Sequence, residues 1–185
     1  MILTKNDILD HIASGHIKIQ PLTMSSVGTN SIDLHLGGSL AIYNTPDGVL
    51  DCKQPNDITR ITIPEEGYTL QPGKLYLAST LEYTETLLHV PQVTGKSSLG
   101  RLGINIHATA GFGDVGFCGY WTLEIFVVEP VKIYAGMPIG QIWYSEPKSV
   151  PEVKYMELGS SNYTDAHNSL PQPSRLYRKF QQTNS

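Results

Sequence analysis

Trp121-Thr122-Leu123-Glu124-Ile125-Phe126-Val127-Val128 is the stretch that decides how this chain of 185 residues is read. Side chains alternate across a strand, so Trp121, Leu123, Ile125 and Val127 share one face, and Thr122, Glu124, Phe126 and Val128 share the other. Both faces are largely apolar, which predicts a buried strand carrying Glu124 inward. An ionised carboxylate there needs hydrogen bonds or a cation, or it turns neutral through a raised pKa. A structural pairing with a neighbouring Lys or Arg is the plain reading. The favoured one is catalytic, because carboxylates in perturbing surroundings gather at functional sites and suit proton transfer.

Upstream, Gly95-Lys96-Ser97-Ser98-Leu99-Gly100-Arg101 concentrates a Lys, an Arg, two hydroxyls and two glycines. Such a set can grip several phosphate oxygens through charge-assisted hydrogen bonds. It is not the common phosphate loop, since the glycine required five residues before Gly95 is Val90. A basic surface turn is the alternative. Its place in the same segment as Glu124 predicts that the two form one site.

The rest of the chain also reads as β. Ile32, Leu34 and Leu36 alternate with Asp33 and His35, and short strands are predicted at 40–43, 59–63 and 74–79. Gln71-Pro72-Gly73-Lys74 suits a type II turn, and Ala135-Gly136 and Ile139-Gly140 predict further breaks. Thr4 and Asp7 resemble a capping box, followed by Ile8, Leu9 and Ile12 on one helical face until Gly15, so one short helix opens the domain. Many short strands separated by turns favour a barrel or jelly roll. The last forty or so residues, rich in Ser, Asn, Gln and Pro with Pro171-Gln172-Pro173-Ser174, predict a mobile lid or a disordered end.

Composition narrows the function classes. A net charge of -4 and a pI near 5.8 argue against a general nucleic-acid binder. No apolar run approaches the ~18 residues of a membrane span, and polar residues following Met1-Ile2-Leu3 do not make a signal peptide. Two cysteines, Cys52 and Cys118, suggest free thiols in a reducing cytoplasm. They lack the Pro-Cys-x-x-Cys spacing of zinc deaminases. His107 reads as a packed or interface histidine, Trp121 and Phe117 as packing around a core or base, and Cys118 as a small buried hydrophobe.

The ordered motifs carry a resemblance. Lys96-Ser97-Ser98-Leu99-Gly100-Arg101-Leu102-Gly103, His107-Ala108-Thr109-Ala110, Asp114-x-Gly116-Phe117-x-Gly119, Thr122-Leu123-Glu124 and Ile139-Gly140-Gln141 resemble the signature of the dCTP deaminases, within the trimeric dUTPase superfamily. Ile8, the strand Ser31 to Gly37 and Leu75 to Thr80 extend it upstream. The resemblance implies a mainly β, distorted jelly-roll or barrel domain over 1–145 with a short N-terminal helix, and a lid or tail over 146–185. It implies hydrolytic deamination of dCTP to dUTP without zinc, with Glu124 as general base and Arg101 beside it. Ser97 and the carbonyl of Ala110 would position the water and the exocyclic amine. Lys96, Ser98, Leu99 and Gly100 would cradle the triphosphate, Asp114 would meet the 3′-hydroxyl, and Thr122, Leu123, Gln141, Tyr155 and Asn162 would complete the nucleotide contacts. Magnesium would arrive on the phosphates. The implied partners are a small deoxynucleotide and two further copies of the chain sharing active sites in a homotrimer, with no nucleic acid and no membrane.

Two departures keep alternatives open. Gly111-Phe112 stands where deaminase-only relatives tend to have His-Arg, which resembles the bifunctional type that continues to dUMP through Asp114. In the tail, Asn162 replaces the family's lysine before Tyr163, and Ala166 stands at the glutamine position, with His167 or Asn168 as substitutes. An asparagine offers only a neutral donor, which admits a nucleotide-binding protein of weak catalysis.

Overall fold

The structure, a computed structural model, describes residues 1–45, 48–109, 111–164 and 168–181. Helix α1 (Lys5–Ala13) begins as its sequence dictates: the Asp7 carboxylate accepts hydrogen bonds from the Thr4 N–H at 2.8 Å and the Thr4 hydroxyl at 2.6 Å. The strands follow as β1 (Ile17–Gln20), β2 (Ile32–Tyr43), β3 (Ile58–Thr62), β4 (Tyr68–Leu70), β5 (Tyr76–Thr86) and β6 (Val90–Gly95). After a single helical turn, α2 (Ser97–Gly100), come β7 (Ile104–Asn105), β8 (Cys118–Val127), β9 (Val131–Ile133) and β10 (Pro138–Ser145).

The main sheet runs β6-β10-β2-β5-β8-β7, with β1 also paired to β5 and β3 to β2, while β4 and β9 pair separately. All these pairings are antiparallel. The sheet curls into a nearly closed barrel around Leu34, Leu36, Leu40, Leu123, Ile125 and Ile142, each 0 % exposed. Antiparallel strands with one face on such a core need alternation, and β2 and β8 both show it. Among the described residues no helix is long and apolar enough to cross a membrane.

Three local expectations change. The strands predicted at 32–36 and 40–43 are one strand, β2, whose pairing with β5 shifts register between Leu36 and Leu40. Gly37 lies in this irregularity, where a Cβ would come 2.8 Å from Ser79 Oγ. The strand predicted at 74–79 starts at Tyr76 and runs on to Thr86, after the predicted turn in which Gly73 has φ +74°. Gly140 is no break either. It lies inside β10, where a Cβ would meet Ile106 Cδ1 at 2.8 Å, so it marks a close approach between strands.

The tail folds back on the barrel. The Ser79 hydroxyl donates to the carbonyl of Ser169 at 2.5 Å, the Gln172 N–H donates to Thr122 Oγ1 at 3.2 Å, and the Ser174 N–H donates to the Tyr43 hydroxyl at 2.8 Å.

The N-terminal helix is pinned by a histidine cluster. His11 and His89 have ring centroids 4.2 Å apart, and His11 Nδ1 lies 3.4 Å from His16 Nδ1. His89 is buried, and its Nδ1 has no hydrogen-bond partner among the described residues. Burial first, then the neighbouring His11 and His16, push its pKa down to about 4 against the opposing pull of Glu146. Between this value and the ordinary 6.5 the unfolded chain binds a proton that the folded one refuses, so stability falls as pH drops through that window. Melting temperatures measured from pH 7 to 4 are expected to decline, and His89→Leu should flatten the part of the slope above pH 5. An unchanged slope in the variant would remove His89 as its cause.

Candidate active site

Strand β8 builds the floor of a pocket of about 570 Å³, within the range of small-molecule sites. Its Leu123 and Ile125 side chains point into the core, Thr122 and Glu124 line the pocket on the opposite face, and the buried Trp121 also contributes to the lining. The expectation of a buried strand carrying Glu124 inward is therefore corrected, for Glu124 is half-buried and faces the pocket. Phe126 and Val128 on the same face are 38 % and 64 % exposed, so that face is not core despite its apolar residues. Of the three fates open to the carboxylate, hydrogen bonding is the one observed: Oε2 accepts from the Ala108 N–H at 2.9 Å and the Thr109 N–H at 3.4 Å.

Asp114 lines the same pocket from the turn that precedes β8. That turn is held by close packing. A Cβ on Gly113 would sit 2.4 Å from Trp121 Cη2, and Gly116, with φ +89°, donates its N–H to the carbonyl of Thr86 at 2.9 Å. The tail supplies another wall. Tyr155 donates its backbone N–H to the Val115 carbonyl at 2.9 Å, and its hydroxyl pKa is raised, chiefly by burial. Tyr163, Gln172 and Ser174 close the rim with Tyr43.

Aromatic packing braces this wall: Phe117 lies 4.6 Å from Trp121 and 5.8 Å from Tyr155 between ring centroids, while Trp121 Nε1–H donates to Thr84 Oγ1 at 2.8 Å. His107 is a packed residue here, its Nε2–H donating to the Val93 carbonyl at 2.8 Å, with burial as the main cause of a lowered pKa. Cys118 is half-buried, and burial lifts its thiol pKa to about 11, away from thiolate chemistry.

The basic motif lies elsewhere. Lys96 follows β6 at the N-cap of α2 and forms an ion pair with Asp33; Ser97, Ser98, Leu99 and Gly100 form α2, capped by an exposed Arg101. None of these residues lines the pocket, so the expected meeting of phosphate set and Glu124 does not occur within one chain. The physical reason is the path of the backbone. It returns to β8 at the far end, where the Val128 N–H donates to the Gly103 carbonyl at 3.1 Å, beyond Glu124. Gln141, on β10, is also outside the pocket and accepts from the Ser31 hydroxyl at 3.1 Å. Among the described residues no Lys or Arg lines the pocket, although two carboxylates do.

Of the remaining expected residues, Leu123 has a fully buried side chain in the core, and Asn162 accepts a hydrogen bond through its backbone carbonyl from Arg175 Nη1 at 2.9 Å. Ala110, Ala166 and His167 lie outside the described residues; Asn168 caps the Leu170 N–H at 3.0 Å. Sequence reading missed Tyr43, Tyr120, Gln172 and Ser174 as pocket residues. Pro171-Gln172-Pro173-Ser174 stood out in composition, but nothing in its pattern told where the segment would dock.

The model of the family described as dCTP deaminase-like matches residues 2–146. A protein of Clostridium acetobutylicum named dCTP deaminase, dUMP-forming, is 48 % identical over 180 residues, covering 97 % of this chain and 99 % of its own. A protein of Cytophaga hutchinsonii with the same name is 47 % identical over 181 residues, covering 98 % and 99 %. Among solved structures, 2′-deoxycytidine 5′-triphosphate deaminase from Agrobacterium tumefaciens superposes with a TM-score of 0.63 at 21 % identity. That match covers 79 % of this chain and 48 % of the other, and speaks for the fold.

Proposed function

This chain belongs to the dCTP deaminase-like family, and from that premise we propose that it converts dCTP to dUMP in two hydrolytic steps. The observation that carries this reading is that Glu124 and Asp114 open on one pocket, so that base and phosphate chemistry have separate carboxylates within a single site. The names of the relatives from Clostridium acetobutylicum and Cytophaga hutchinsonii favour dUMP over dUTP as the product. The Gly111-Phe112 pair agrees with that choice.

In the first step the oxygen of water adds to C4 of the cytosine ring, the C4–N4 bond breaks, and ammonia leaves. Glu124 takes the water proton and returns it to the departing amine. Among the described residues both bonds to Glu124 fall on Oε2, which anchors the carboxylate and suits Oε1 to proton transfer. Ser97 and the Ala110 carbonyl hold the water and the exocyclic amine in this reading. In the second step water attacks the α-phosphorus, the bond to the bridging oxygen breaks, and pyrophosphate departs, with Asp114 as the base.

A hard cation suits the exposed Asp114 carboxylate, and among the described residues no three ligating side chains converge on one point. In this reading magnesium would arrive on the nucleotide phosphates and would spread their charge there.

A pocket with two carboxylates needs cations before it can hold a polyphosphate. Lys96 to Arg101 would come from a second copy of the chain, in a homotrimer. Leu102 (57 %), next to Arg101 in the chain, and Val128 (64 %), packed at Gly103, are exposed apolar side chains that such a copy would cover.

Incubating the protein with dCTP and magnesium and separating the products tests the reading. dUMP is the expected product. dUTP alone would remove the second step, and unchanged dCTP would remove the reaction.

A further inference from the structure

The outer face of the barrel carries a crossing that the reaction above does not explain. Leu77 on β5 is the cross-strand partner of both Ala41 on β2 and Glu124 on β8, so the three lie in one row. Ala41 and Leu77 stand outside the core cluster, alternating with its Leu40 and Ala78, yet both are buried. The tail crosses above them. It is bonded on one side of the row to Thr122, through Gln172, and on the other to Tyr43, through Ser174. We propose that Tyr43 is a positioning residue whose hydroxyl seats the tail as a wall of the nucleotide site, so that closure of the tail and occupancy of the pocket strengthen each other. The inference rests on the dCTP reading for the identity of the occupant and adds a residue that neither the motifs nor the family resemblance pointed to.

Three hydroxyls hold the tail by its backbone. Thr122 Oγ1 accepts from the Gln172 N–H at 3.2 Å, the Tyr43 hydroxyl from the Ser174 N–H at 2.8 Å, and the Tyr163 hydroxyl from the Arg175 N–H at 3.3 Å. All three hydroxyl-bearing residues line the Glu124 pocket, and so do Gln172 and Ser174. Tyr163 belongs to the tail itself, and Thr122 is an expected nucleotide contact. Tyr43, the last residue of β2, is thus the anchor that joins barrel to tail without an expected place at the ligand, and its bond is the shortest of the three. At the start of the crossing a second anchor acts from β5, where the Ser79 hydroxyl donates to the Ser169 carbonyl.

A segment held by a few separate hydrogen bonds opens locally while the barrel beneath it stays folded. When the tail opens, the pocket loses Gln172 and Ser174 from its wall. A nucleotide that touches them binds the closed form better, and by linkage it favours closure by the same factor. Removing one anchor therefore lowers the closed population and the affinity together.

Hydrogen exchange read by mass spectrometry, together with steady-state kinetics, tests the anchor. Tyr43→Phe removes only the hydroxyl. Peptides covering 168–181 should then exchange about fivefold faster than in the wild-type chain, the value of one neutral hydrogen bond, while those covering 32–42 keep their rate. KM for dCTP should rise about threefold, with kcat within about twofold. Ser79→Ala should act in the same direction, and the double variant should raise KM about tenfold. Saturating dCTP should return the tail of Tyr43→Phe to the wild-type exchange rate. Tail exchange within about twofold of wild type in Tyr43→Phe would overturn the anchor. Faster exchange spread through β2 would also overturn it, reducing Tyr43 to a general support of the sheet. A loosened tail with KM changed less than about twofold even in the double variant would overturn the coupling to the nucleotide. If the wild-type chain does not turn over dCTP, the reaction falls separately, and calorimetric binding of dCTP to the same variants takes the place of KM.

Discussion

Glu124→Gln is expected to lower the rate of ammonia release from dCTP by about 10³-fold, the range of a lost general base, with dCTP binding kept within a few-fold. Glutamine matches glutamate in size, and its amide oxygen can still accept from the Ala108 and Thr109 N–H groups that hold Oε2. The strand and the turn beside it should therefore stay in place. What glutamine cannot do is take a proton from water at neutral pH. Ammonia release and equilibrium binding, measured on the same preparation, separate the two effects. Deamination at the wild-type rate would remove Glu124 from the chemistry. Loss of binding together with activity would make it a ligand contact instead.

Asp114→Asn should act on the other step. With the base for phosphate attack gone, dUTP is expected to accumulate where the wild-type chain releases dUMP, and pyrophosphate release should fall by about 10²-fold or more. Ammonia release should persist. Asp114 is exposed and the turn that carries it is held by Gly113 and Gly116 through their own packing, so the change should cost little stability. Continued dUMP formation at the wild-type rate would assign phosphate hydrolysis to another group. Simultaneous loss of both steps would give Asp114 a role in seating the nucleotide.

The two variants make opposite product patterns from one pocket.

Much of the fold was legible in local patterns. Thr4 and Asp7 announced α1, the alternation from Ile32 to Leu36 announced the first half of β2, and Pro72-Gly73 announced the turn before β5. These are local signals, in which a few neighbouring residues decide backbone geometry. The errors came where a residue served a distant neighbour. Gly140 looks like a break in the chain, but it exists because Ile106 packs where its Cβ would stand. Likewise Phe126 and Val128 made the Glu124 face look buried, although both are exposed.

The candidate site divides along the same line. By itself the sequence identified the β class, the opening helix, the carboxylate on β8 and the basic motif, because alternation, capping and charge spacing are properties of neighbouring residues. Only the tertiary structure decided that Glu124 and Asp114 share a pocket, that Lys96 to Arg101 do not line it, and that Gln172 and Ser174 return to its rim. Those relations reach across long stretches of sequence, as Gln172 joins Thr122 fifty positions away and Ser174 joins Tyr43 131 positions away. They are set by strand order, close glycine packing and the course of the tail, which no local pattern encodes.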